Sequence, residues 1–413
     1  MGKKYLLVGN HSCSNRGDAA ITRGLLETLE NLYPDSKFDV CSRFSYGASQ
    51  ILEREVIQDS TDTESNIIYR LIRKVSRKIG LDYIVLLAIF TTYLRPLKIF
   101  LPTSFKKMVN LMSKYDGIIH VGGSFFVDLY GLSQYRLVMC SILAKKNVVL
   151  IGHSIGPFDQ VIYKRLSNFI LNKAKFISLR DTDSVKLIHS SIPTLKYEMG
   201  ADTAFLVDSK TQLNQKQDNL IGFTFRKLAP FDVRLGISQS RYENVMASAC
   251  ATLIENGYCL KFLSTCTSFD HYHNDDRIIA ERIKSLIPIN LQKNVEVVTD
   301  ELTDMDLGRE ISKCKLLVGT RLHSAIIAMN FGTPAISISY EHKASGLFDF
   351  MDLSELSFSL SQSFNQNQII SRIESVLLDY EAWAQRVENS TCQQRRIAKN
   401  SIDDAISTIN DDF

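Results

Sequence analysis

The sequence predicts an α/β protein with two facing Rossmann-like domains. Short apolar runs alternate with amphipathic helical segments along most of the chain, a pattern typical of doubly wound parallel sheets. The runs form two series, which are separated by the polar stretch 208–219, where no apolar periodicity is found. The length of 413 residues also fits two or three domains at about 150 residues each.

The first series of apolar runs begins near the N-terminus. Residues 5–10 predict a buried parallel strand, followed by a polar loop and an amphipathic helix over about 18–32. Further runs, each followed by a candidate helix, lie at 117–121, 147–151 and 176–179. We therefore expect residues 1–207 to form an N-terminal Rossmann-like domain.

The second series predicts a C-terminal Rossmann-like domain over residues 220–365. Its apolar runs lie at 220–225, 260–263, 295–298, 316–319 and 334–338. Residues 366–413 show a helical pattern, and we expect a helical tail there. Ligands of such domains bind at the carboxyl ends of the strands, so functional residues are expected in the loops that follow them.

Composition and charge exclude several classes of protein. With 45% hydrophobic residues and a formal net charge of +3, the chain resembles ordinary globular proteins, and the basic excess is too small to indicate nucleic-acid binding. Eight cysteines without a C-x-x-C pair predict reduced thiols and hence a cytoplasmic location. The first ten residues lack a signal-peptide core, and the longest apolar stretch, 83–94, has about a dozen residues where a membrane span needs about 20.

The segment 67–107 fits neither series and is strongly basic. Against the single acid Asp82 it carries the cations Arg70, Arg73, Lys74, Arg77, Lys78, Arg95, Lys98, Lys106 and Lys107. A solvated helix, or a helix that covers the sheet, is the commoner explanation of such a segment. The alternative is an interfacial helix on an anionic membrane surface, with the apolar run 84–90 inserted, which leaves open a peripheral position on the inner face of the membrane.

Loops after the predicted strands of the first half carry small and polar residues. The loop 10–18 offers backbone amides at a helix N-terminus, where anions or sugar hydroxyls bind, and capping by Asn15 or Asp18 is the alternative. The strand ends at Gly122-Gly123 and at 152–156 allow a ligand or another backbone to come close. Two such strand ends in one half favour a lined crevice.

The strongest cluster of candidate functional residues is 318–329. It places Arg321 and His323 in the first turn of a predicted helix. A cation at a helix N-terminus opposes the macrodipole, so an anionic ligand explains Arg321 better than fold stability does.

Three further cations follow predicted strands, namely Arg180, Arg226 and Lys343. The topology predicts that they converge with Arg321 on one crevice. For any one of them taken alone a salt bridge is the alternative, for example Arg180 with Asp181 or Asp183.

A metal site is not predicted. Cys266, His271 and His273 lie close to three aspartates in the sequence, but their spacing matches no zinc pattern, and a polar loop that opens a helix is the better interpretation. The G-x-S-x-G and Walker A patterns are absent, so a serine hydrolase or a P-loop enzyme has no support.

Segments from residue 5 to about residue 350 form a set: Gly9-Asn10, 15–21, 121–128, 152–158, Arg180-Asp181, 200–204, 319–323 and 340–343. In its order and number this set resembles the polysaccharide pyruvyl transferase family, particularly the branch that acts in exopolysaccharide synthesis of the colanic-acid type. The resemblance implies a two-domain fold like that of GT-B glycosyltransferases.

The resemblance also implies a reaction. A pyruvyl group moves from phosphoenolpyruvate to two hydroxyls of a sugar in an exopolysaccharide repeat unit, so that a pyruvate ketal forms and phosphate is released. No electron or hydride moves, so we expect no cofactor. The implied acceptor is a lipid-linked oligosaccharide.

The resemblance further implies roles for residues. Phosphoenolpyruvate carries about three negative charges near neutral pH, and the residues expected to bind it are Arg321, Leu322, Lys343, Arg180 and Arg226. His323 is the candidate for acid and base catalysis, because histidine titrates near pH 7. The acceptor is expected against the N-terminal domain, near Asn15, Asp18, Gly122 and Gly123.

Two other functions fit the same residues. One is a GT-B glycosyltransferase that uses a nucleotide sugar. A carboxylate in the crevice, positioned to bind the ribose of the nucleotide, would favour this function. The other is a non-catalytic protein that binds a sugar or a phosphate.

Overall fold

The computed structural model describes residues 2–61, 82–209, 215–340 and 342–410, with only the backbone at 342 and 343. The chain forms two compact units. Unit 1 contains the described residues of Met1–Ser12, Ile21–Leu206 and Arg396–Phe413, and unit 2 contains those of Cys13–Ala20 and Val207–Arg395. The short segment Cys13–Ala20 is therefore part of unit 2, although the sequence on either side of it is part of unit 1.

The strands described in unit 1 form one parallel sheet. They are β1 Lys4–Asn10, β2 Lys37–Ser42, β3 Val56–Gln58, β4 Gly117–His120, β5 Gly123–Phe126, β6 Val148–Ile155, β7 Phe176–Leu179 and β8 Glu198–Met199. The order is β3-β2-β1-β4-β6-β7-β8, and β5 pairs with β6. The central strands carry continuous apolar runs, such as Leu6, Leu7 and Val8, because a sheet of this type is buried on both faces.

The helices described in the first half connect these strands. They are α1 Arg16–Leu32, α2 Ser45–Leu52, α3 Tyr83–Tyr93, α4 Thr103–Met112, α5 Arg136–Leu143, α6 Val161–Leu171 and α7 Thr182–Ser191. Asp82 fixes the start of α3, since its Oδ1 accepts hydrogen bonds from the backbone nitrogens of Ile84 and Val85 at 3.0 and 3.1 Å. Its carboxylate also pairs with Nη2 of the buried Arg136 at 2.6 Å, so the single acid of the basic segment has a structural role.

The strand predicted at 147–151 is longer in the structure. β6 continues to Ile155, so residues 152–155 lie within a strand and not in a loop after it. The extension exists because β5 pairs with it, Gly123 lying opposite His153 and Phe126 opposite Ile155.

The expectation that the run 84–90 could insert into a membrane is wrong. Ile84, Val85 and Ala88 are buried in the core of unit 1. Large apolar side chains are instead exposed at Phe90, the last residue of the run, and beyond it at Tyr93, Leu94, Ile99 and Phe100. The predicted basic helical face of Arg70, Arg73, Lys74, Arg77 and Lys78 lies outside the described residues. None of the described helices combines the length and the apolar character needed to cross a bilayer.

The strands described in unit 2 form a second parallel sheet. They are β9 Gln217–Thr224, β10 Cys259–Leu263, β11 Val295–Val297, β12 Cys314–Gly319, β13 Ala335–Ser339 and β14 Ser357–Ser359, in the order β11-β10-β9-β12-β13-β14. The succession of strands reverses at β9, which lies between β10 and β12. Such a reversal is the point where open α/β sheets bind ligands, at the carboxyl ends of the strands.

The remaining helices complete unit 2 and the tail. They are α8 Asp232–Leu235, α9 Gln239–Glu255, α10 Asp276–Leu286, α11 Asp304–Ser312, α12 Leu322–Asn330, α13 His342–Phe350, α14 Gln366–Leu378 and α15 Tyr380–Asn410. Side-chain caps define several of their N-termini, for example Ser238 for α9, Thr303 for α11 and Asn365 for α14. The part of α15 from Arg396 onward belongs to unit 1.

Candidate functional site

The candidate site lies in unit 2, where β9, β10 and β12 end side by side. Thr224, the last residue of β9, is in register with Leu263 of β10 and with Gly319 of β12. The backbone nitrogen of Thr320 donates to the carbonyl of Thr224 at 3.1 Å, which joins the two chains just beyond the strand ends. The residues that follow these three strands therefore share one edge of the sheet.

Arg321 is the N-cap residue of α12, as the sequence analysis expected, but it is paired. Its Nε and Nη2 donate to the two carboxylate oxygens of Asp276 at 2.6 and 2.7 Å. Burial lowers the pKa of Arg321, but the Asp276 carboxylate outweighs burial and holds that pKa well above its ordinary value. Much of the charge that sequence reasoning offered to a ligand is thus balanced within the protein.

Arg226 follows β9 and is held differently. Its side chain is buried, and the guanidinium lies over the ring of Tyr340, 3.6 Å from the centroid. Nε donates to the carbonyl of Lys227 at 2.9 Å. Nη1 is buried and makes no hydrogen bond, and no described residue forms an ion pair with Arg226. A buried cationic donor without a partner is costly, which makes Arg226 the strongest candidate for contact with an anion.

His323 lies half-buried in the first turn of α12, next to Arg321. The backbone of Gly17 packs directly against its ring, since a β-carbon at residue 17 would lie 2.4 Å from Cγ of His323. The following residue, Ser324, exchanges a hydrogen bond of 2.7 Å with Thr224 across the strand ends. These contacts fix the first turn of α12 and with it the position of the imidazole.

The loop before α1 is part of this site. The backbone of Arg16 donates to Thr265 at 2.8 Å, and that of Thr267 donates to Ser14 at 3.0 Å, so the loop pairs with the residues after β10. The buried side chain of Arg16 binds Glu301, Thr267 and the carbonyl of Cys13. Sequence reasoning missed Arg16 and Glu301, because residues almost 300 positions apart form this pair.

The predicted acceptor residues are divided between the two units. Asn15 and Asp18 belong to unit 2, whereas Gly122 and Gly123 belong to unit 1. Oδ1 of Asn15 accepts from the backbone nitrogen of Gly17 at 3.2 Å, a local contact of the capping type. Gly122 packs against β6, since a β-carbon there would lie 2.6 Å from the carbonyl oxygen of Gly152.

The four predicted cations are divided between the two units, with Arg226, Arg321 and Lys343 in unit 2. Arg180 is in unit 1, where it is buried and bound to Asp202 at 2.5 Å, to Ser154 at 3.0 Å and to Ser124 at 2.9 Å. Its partner is thus Asp202, not Asp181 or Asp183. Lys343 lies in the first turn of α13, and its side chain is outside the described part of the chain.

The charges of Arg321 and Arg226 both influence the pKa of Cys266, which follows β10. Burial raises the pKa of the Cys266 thiol to about 12, and both guanidinium groups oppose that rise. His323 follows Arg321 by two residues in the chain.

The loop 266–276 has a structural explanation. Asp275 caps α10 by accepting from the backbone nitrogen of Arg277, and it binds the side chain of that residue as well. Asp276 binds Arg321 and the backbone of Cys266. Within the described residues, no cluster of histidine, cysteine and carboxylate side chains suits a metal ion.

Unit 1 contains two buried histidines that the sequence analysis did not single out. His120 and His153 lie with their ring centroids 5.0 Å apart, at the ends of β4 and within β6. Burial lowers the pKa of His120 to about 4 and that of His153 well below its ordinary value. Both rings are therefore neutral at physiological pH.

Comparison with solved structures supports the architecture. The UDP-GlcNAc 2-epimerase of Neisseria meningitidis superposes with a TM-score of 0.60 at 12% identity, covering 98% of this chain and 99% of that one. A glycosyltransferase from Rickettsia africae gives a TM-score of 0.54 at 11% identity, covering 99% and 96%. At this identity the likeness shows the fold alone. The predicted fold class, α/β with two Rossmann-like parallel-sheet domains of the GT-B type, is confirmed.

Sequence comparison gives the family. The chain is 38% identical to the amylovoran biosynthesis protein AmsJ of Erwinia amylovora, covering 98% of this chain and 100% of that one. A family model for polysaccharide pyruvyl transferases matches residues 15–342, which include the loop at Gly17 as well as Arg226, Arg321 and His323. The chain belongs to the polysaccharide pyruvyl transferase family.

Proposed function

We propose that the protein transfers a pyruvyl group from phosphoenolpyruvate to two hydroxyls of a sugar in an exopolysaccharide repeat unit, forming a ketal and releasing phosphate. Family membership supports pyruvyl transfer, and the relative named for amylovoran biosynthesis supports a polysaccharide pathway. The observation that carries the donor assignment is Arg226, whose buried Nη1 lacks a partner at the reversal point of the unit 2 sheet.

The donor is a small molecule with a phosphate and a carboxylate, so it needs cationic donors at both ends. Arg226 is the principal anchor in this proposal, because its buried Nη1 has no hydrogen-bond partner among the described residues. Arg321 contributes less than the sequence suggested, since Asp276 already binds the edge of its guanidinium formed by Nε and Nη2. Leu322, Lys343 and Arg180 stay predictions as donor-binding residues.

The reaction requires protons to move in both directions. The methylene carbon of the enol gains a proton, and a sugar hydroxyl attacks the adjacent carbon and loses its own proton. The bond between that carbon and the bridging oxygen then breaks, phosphate leaves with that oxygen, and the second hydroxyl attacks. One hydroxyl proton thus ends on the new methyl group and the other on the released phosphate.

We assign the proton transfers to His323. Its ring is held between α12 and the backbone of Gly17, which fixes the direction in which its nitrogens point. A group that takes a proton from a hydroxyl and gives one to carbon has to exist in both protonation states near neutral pH, and histidine is suited to that.

The acceptor is proposed to be a lipid-linked oligosaccharide. Asn15, Asp18, Gly122 and Gly123 stay predictions as residues that contact it. Such an acceptor would be reached at a membrane surface, and unit 1 exposes an apolar and basic patch, which we call the 90–100 patch. Its exposed residues are Phe90, Tyr93, Leu94, Arg95, Lys98, Ile99 and Phe100.

The 90–100 patch suits an anionic lipid surface. Ile99 is 73% exposed and Tyr93 68%, whereas large apolar side chains are usually buried in a folded protein. Arg95 and Lys98 lie among them, so the patch combines residues that can enter the acyl boundary with charges that attract anionic headgroups.

The direct test incubates the protein with phosphoenolpyruvate and a lipid-linked or model galactoside. We expect phosphate release and a gain in acceptor mass of one pyruvyl ketal. Donor labelled with ¹⁸O in the bridging oxygen should give labelled phosphate, since the carbon–oxygen bond is the one that breaks. Turnover of a nucleotide sugar instead would contradict the proposal, and so would donor binding without any change in the acceptor.

A further inference from the structure

We propose that the hydroxyls of Ser264 and Thr265, together with Nη1 of Arg226, form a seat for a phosphate monoester. The identification of that monoester as the pyruvyl donor rests on the proposed function. Three side-chain atoms support the seat: Oγ of Ser264, Oγ1 of Thr265 and Nη1 of Arg226 are each buried and make no hydrogen bond. Neither hydroxyl belongs to the residues that the sequence analysis assigned to the site.

The strand register brings the three residues to the ends of two neighbouring strands. Leu263, the last residue of β10, pairs with Thr224, the last residue of β9. Thr265 and Arg226 each follow their paired strand end by two residues, and Ser264 lies one residue earlier. The charge of Arg226 also lowers the pKa of the thiol of Cys266, the residue after Thr265.

The lack of partners is unusual for such deeply buried groups. Thr265 is 0% exposed, Arg226 6% and Ser264 9%. Leaving a buried donor without a hydrogen bond costs about 1–3 kcal/mol. Three such donors on two adjacent strand ends are explained if a bound ligand supplies the missing acceptors.

The chemistry of the three groups selects the ligand. Arginine only donates hydrogen bonds, and serine and threonine hydroxyls can donate, so together they match a group with several acceptor oxygens. No described residue forms an ion pair with Arg226, which favours an anion over a sugar hydroxyl. The tetrahedral phosphate of a monoester offers three acceptor oxygens and negative charge.

The seat is also held in place before a ligand arrives. Tyr340 stacks on the guanidinium of Arg226, and the centroid of the Phe231 ring lies 5.2 Å from Cζ of the same guanidinium. The backbone of Thr265 accepts from Arg16, which fixes the loop after β10. A site that is rigid in the free protein loses little conformational entropy on binding.

The test measures binding of inorganic phosphate, phosphoenolpyruvate and UDP to the full chain by titration calorimetry. Thr265→Val and Ser264→Ala each remove one hydroxyl. In each variant we expect the Kd for phosphate and for phosphoenolpyruvate to rise by roughly tenfold or more. Thr391→Val is the matched control, because Oγ1 of Thr391 is likewise buried and without a partner but lies in α15. It should leave the affinities unchanged.

Thermal unfolding of the free proteins gives a second readout that separates a seat from a structural role. Because the hydroxyls have no hydrogen-bond partner in the part of the chain that the structure describes, Thr265→Val should leave Tm unchanged or raise it while affinity falls. A fall in Tm with unchanged affinity would overturn the seat, as would failure of phosphate to bind the unmodified protein. UDP binding that depends on Thr265, with no response to phosphoenolpyruvate, would keep the seat and overturn the proposed donor.

Discussion

Gly17 lies so close to His323 that a β-carbon on residue 17 would sit 2.4 Å from Cγ and 2.5 Å from Cβ of the histidine. The contact is at the root of the imidazole and not at the far end of a flexible chain, so the ring cannot swing away without moving α12. One glycine in the loop before α1 therefore sets where the proposed catalytic base lies.

Gly17→Ala should displace His323 and lower kcat by about 10²-fold with little change in the affinity for phosphoenolpyruvate. The added methyl group would push the imidazole ring away by up to about 1 Å, and misplacement of a catalytic group by that distance slows the reaction. Steady-state kinetics and calorimetry measure the two effects, and thermal unfolding checks that the variant is folded. Unchanged kcat in a folded variant would show that the contact does not position the histidine.

His323→Ala should lower turnover by about 10² to 10⁴-fold, the usual cost of losing a general acid or base. Affinity for phosphoenolpyruvate should stay within about tenfold, because in this proposal the arginines and not His323 bind the charges of the donor. Activity at the level of the unmodified enzyme would remove His323 from the mechanism. A lower Tm with unchanged activity per folded molecule would make it a packing residue.

Arg226→Ala and Arg321→Ala should differ, because among the described residues only Arg321 has a carboxylate partner. Arg226→Ala should weaken phosphoenolpyruvate binding by about 1.5–3 kcal/mol, the range for hydrogen bonds to charged groups. Arg321→Ala leaves the buried carboxylate of Asp276 without its cation, so it should lower the free energy of unfolding by about 3–5 kcal/mol.

Calorimetry and urea unfolding distinguish these two outcomes. The double variant Arg321→Met with Asp276→Leu removes both charges of the buried pair and should recover much of the lost stability. Equal effects of the two single variants on donor binding would show that Asp276 does not neutralise Arg321.

Ile99→Asp combined with Phe100→Asp should abolish sedimentation of the protein with anionic vesicles. The two substitutions place charge where apolar side chains would enter the acyl boundary. Ile289→Asp is the control, since Ile289 is 81% exposed but lies in unit 2 outside the 90–100 patch. Binding of the unmodified protein should fall at high salt, as screening shortens the reach of Arg95 and Lys98. Equal partition to neutral vesicles would contradict the electrostatic part.

Acid should destabilise the fold through His120. Burial lowers its pKa from 6.5 to about 4, so between these values the unfolded chain binds a proton that the folded protein does not. The contribution of His120 to the free energy of unfolding is fully present above about pH 6.5. It falls by about 1.4 kcal/mol per pH unit as the pH is lowered toward 4. His153 shifts in the same direction through burial.

Urea unfolding at pH 7 and pH 5 measures this dependence. His120→Gln should flatten it, whereas His189→Gln should not, because His189 is exposed. A slope that stays the same in His120→Gln would show that His120 is charged or solvated in the folded protein.

Sequence periodicity predicted the elements whose pattern is local. The run 5–10 corresponds to β1, the run 316–319 lies within β12, and Arg321 begins a helix as expected. The pairing of Arg321 with Asp276 was out of reach, because it depends on how the β10 loop folds back on β12. The extension of β6 to Ile155 depends on β5, a four-residue strand whose register could not be predicted from the sequence pattern.

The membership of the loop Cys13–Ala20 illustrates the same limit. Its neighbours in sequence, β1 and most of α1, lie in unit 1, and composition gives no boundary at residue 13 or 20. Contacts such as Arg16 with Glu301 assign the loop to unit 2, and they become visible only when both partners are placed in space.

This loop accounts for two of the crossings of the backbone between the two units. The backbone passes from one unit to the other after Ser12, after Ala20, after Leu206 and after Arg395. A fragment that spans 207–395 would lack Arg16, which binds the carboxylate of Glu301 and the backbone of Thr265. Neither half of this enzyme is therefore a transferable module: a chimera that exchanges one half at a single junction separates unit 2 from the glycine that packs on its histidine.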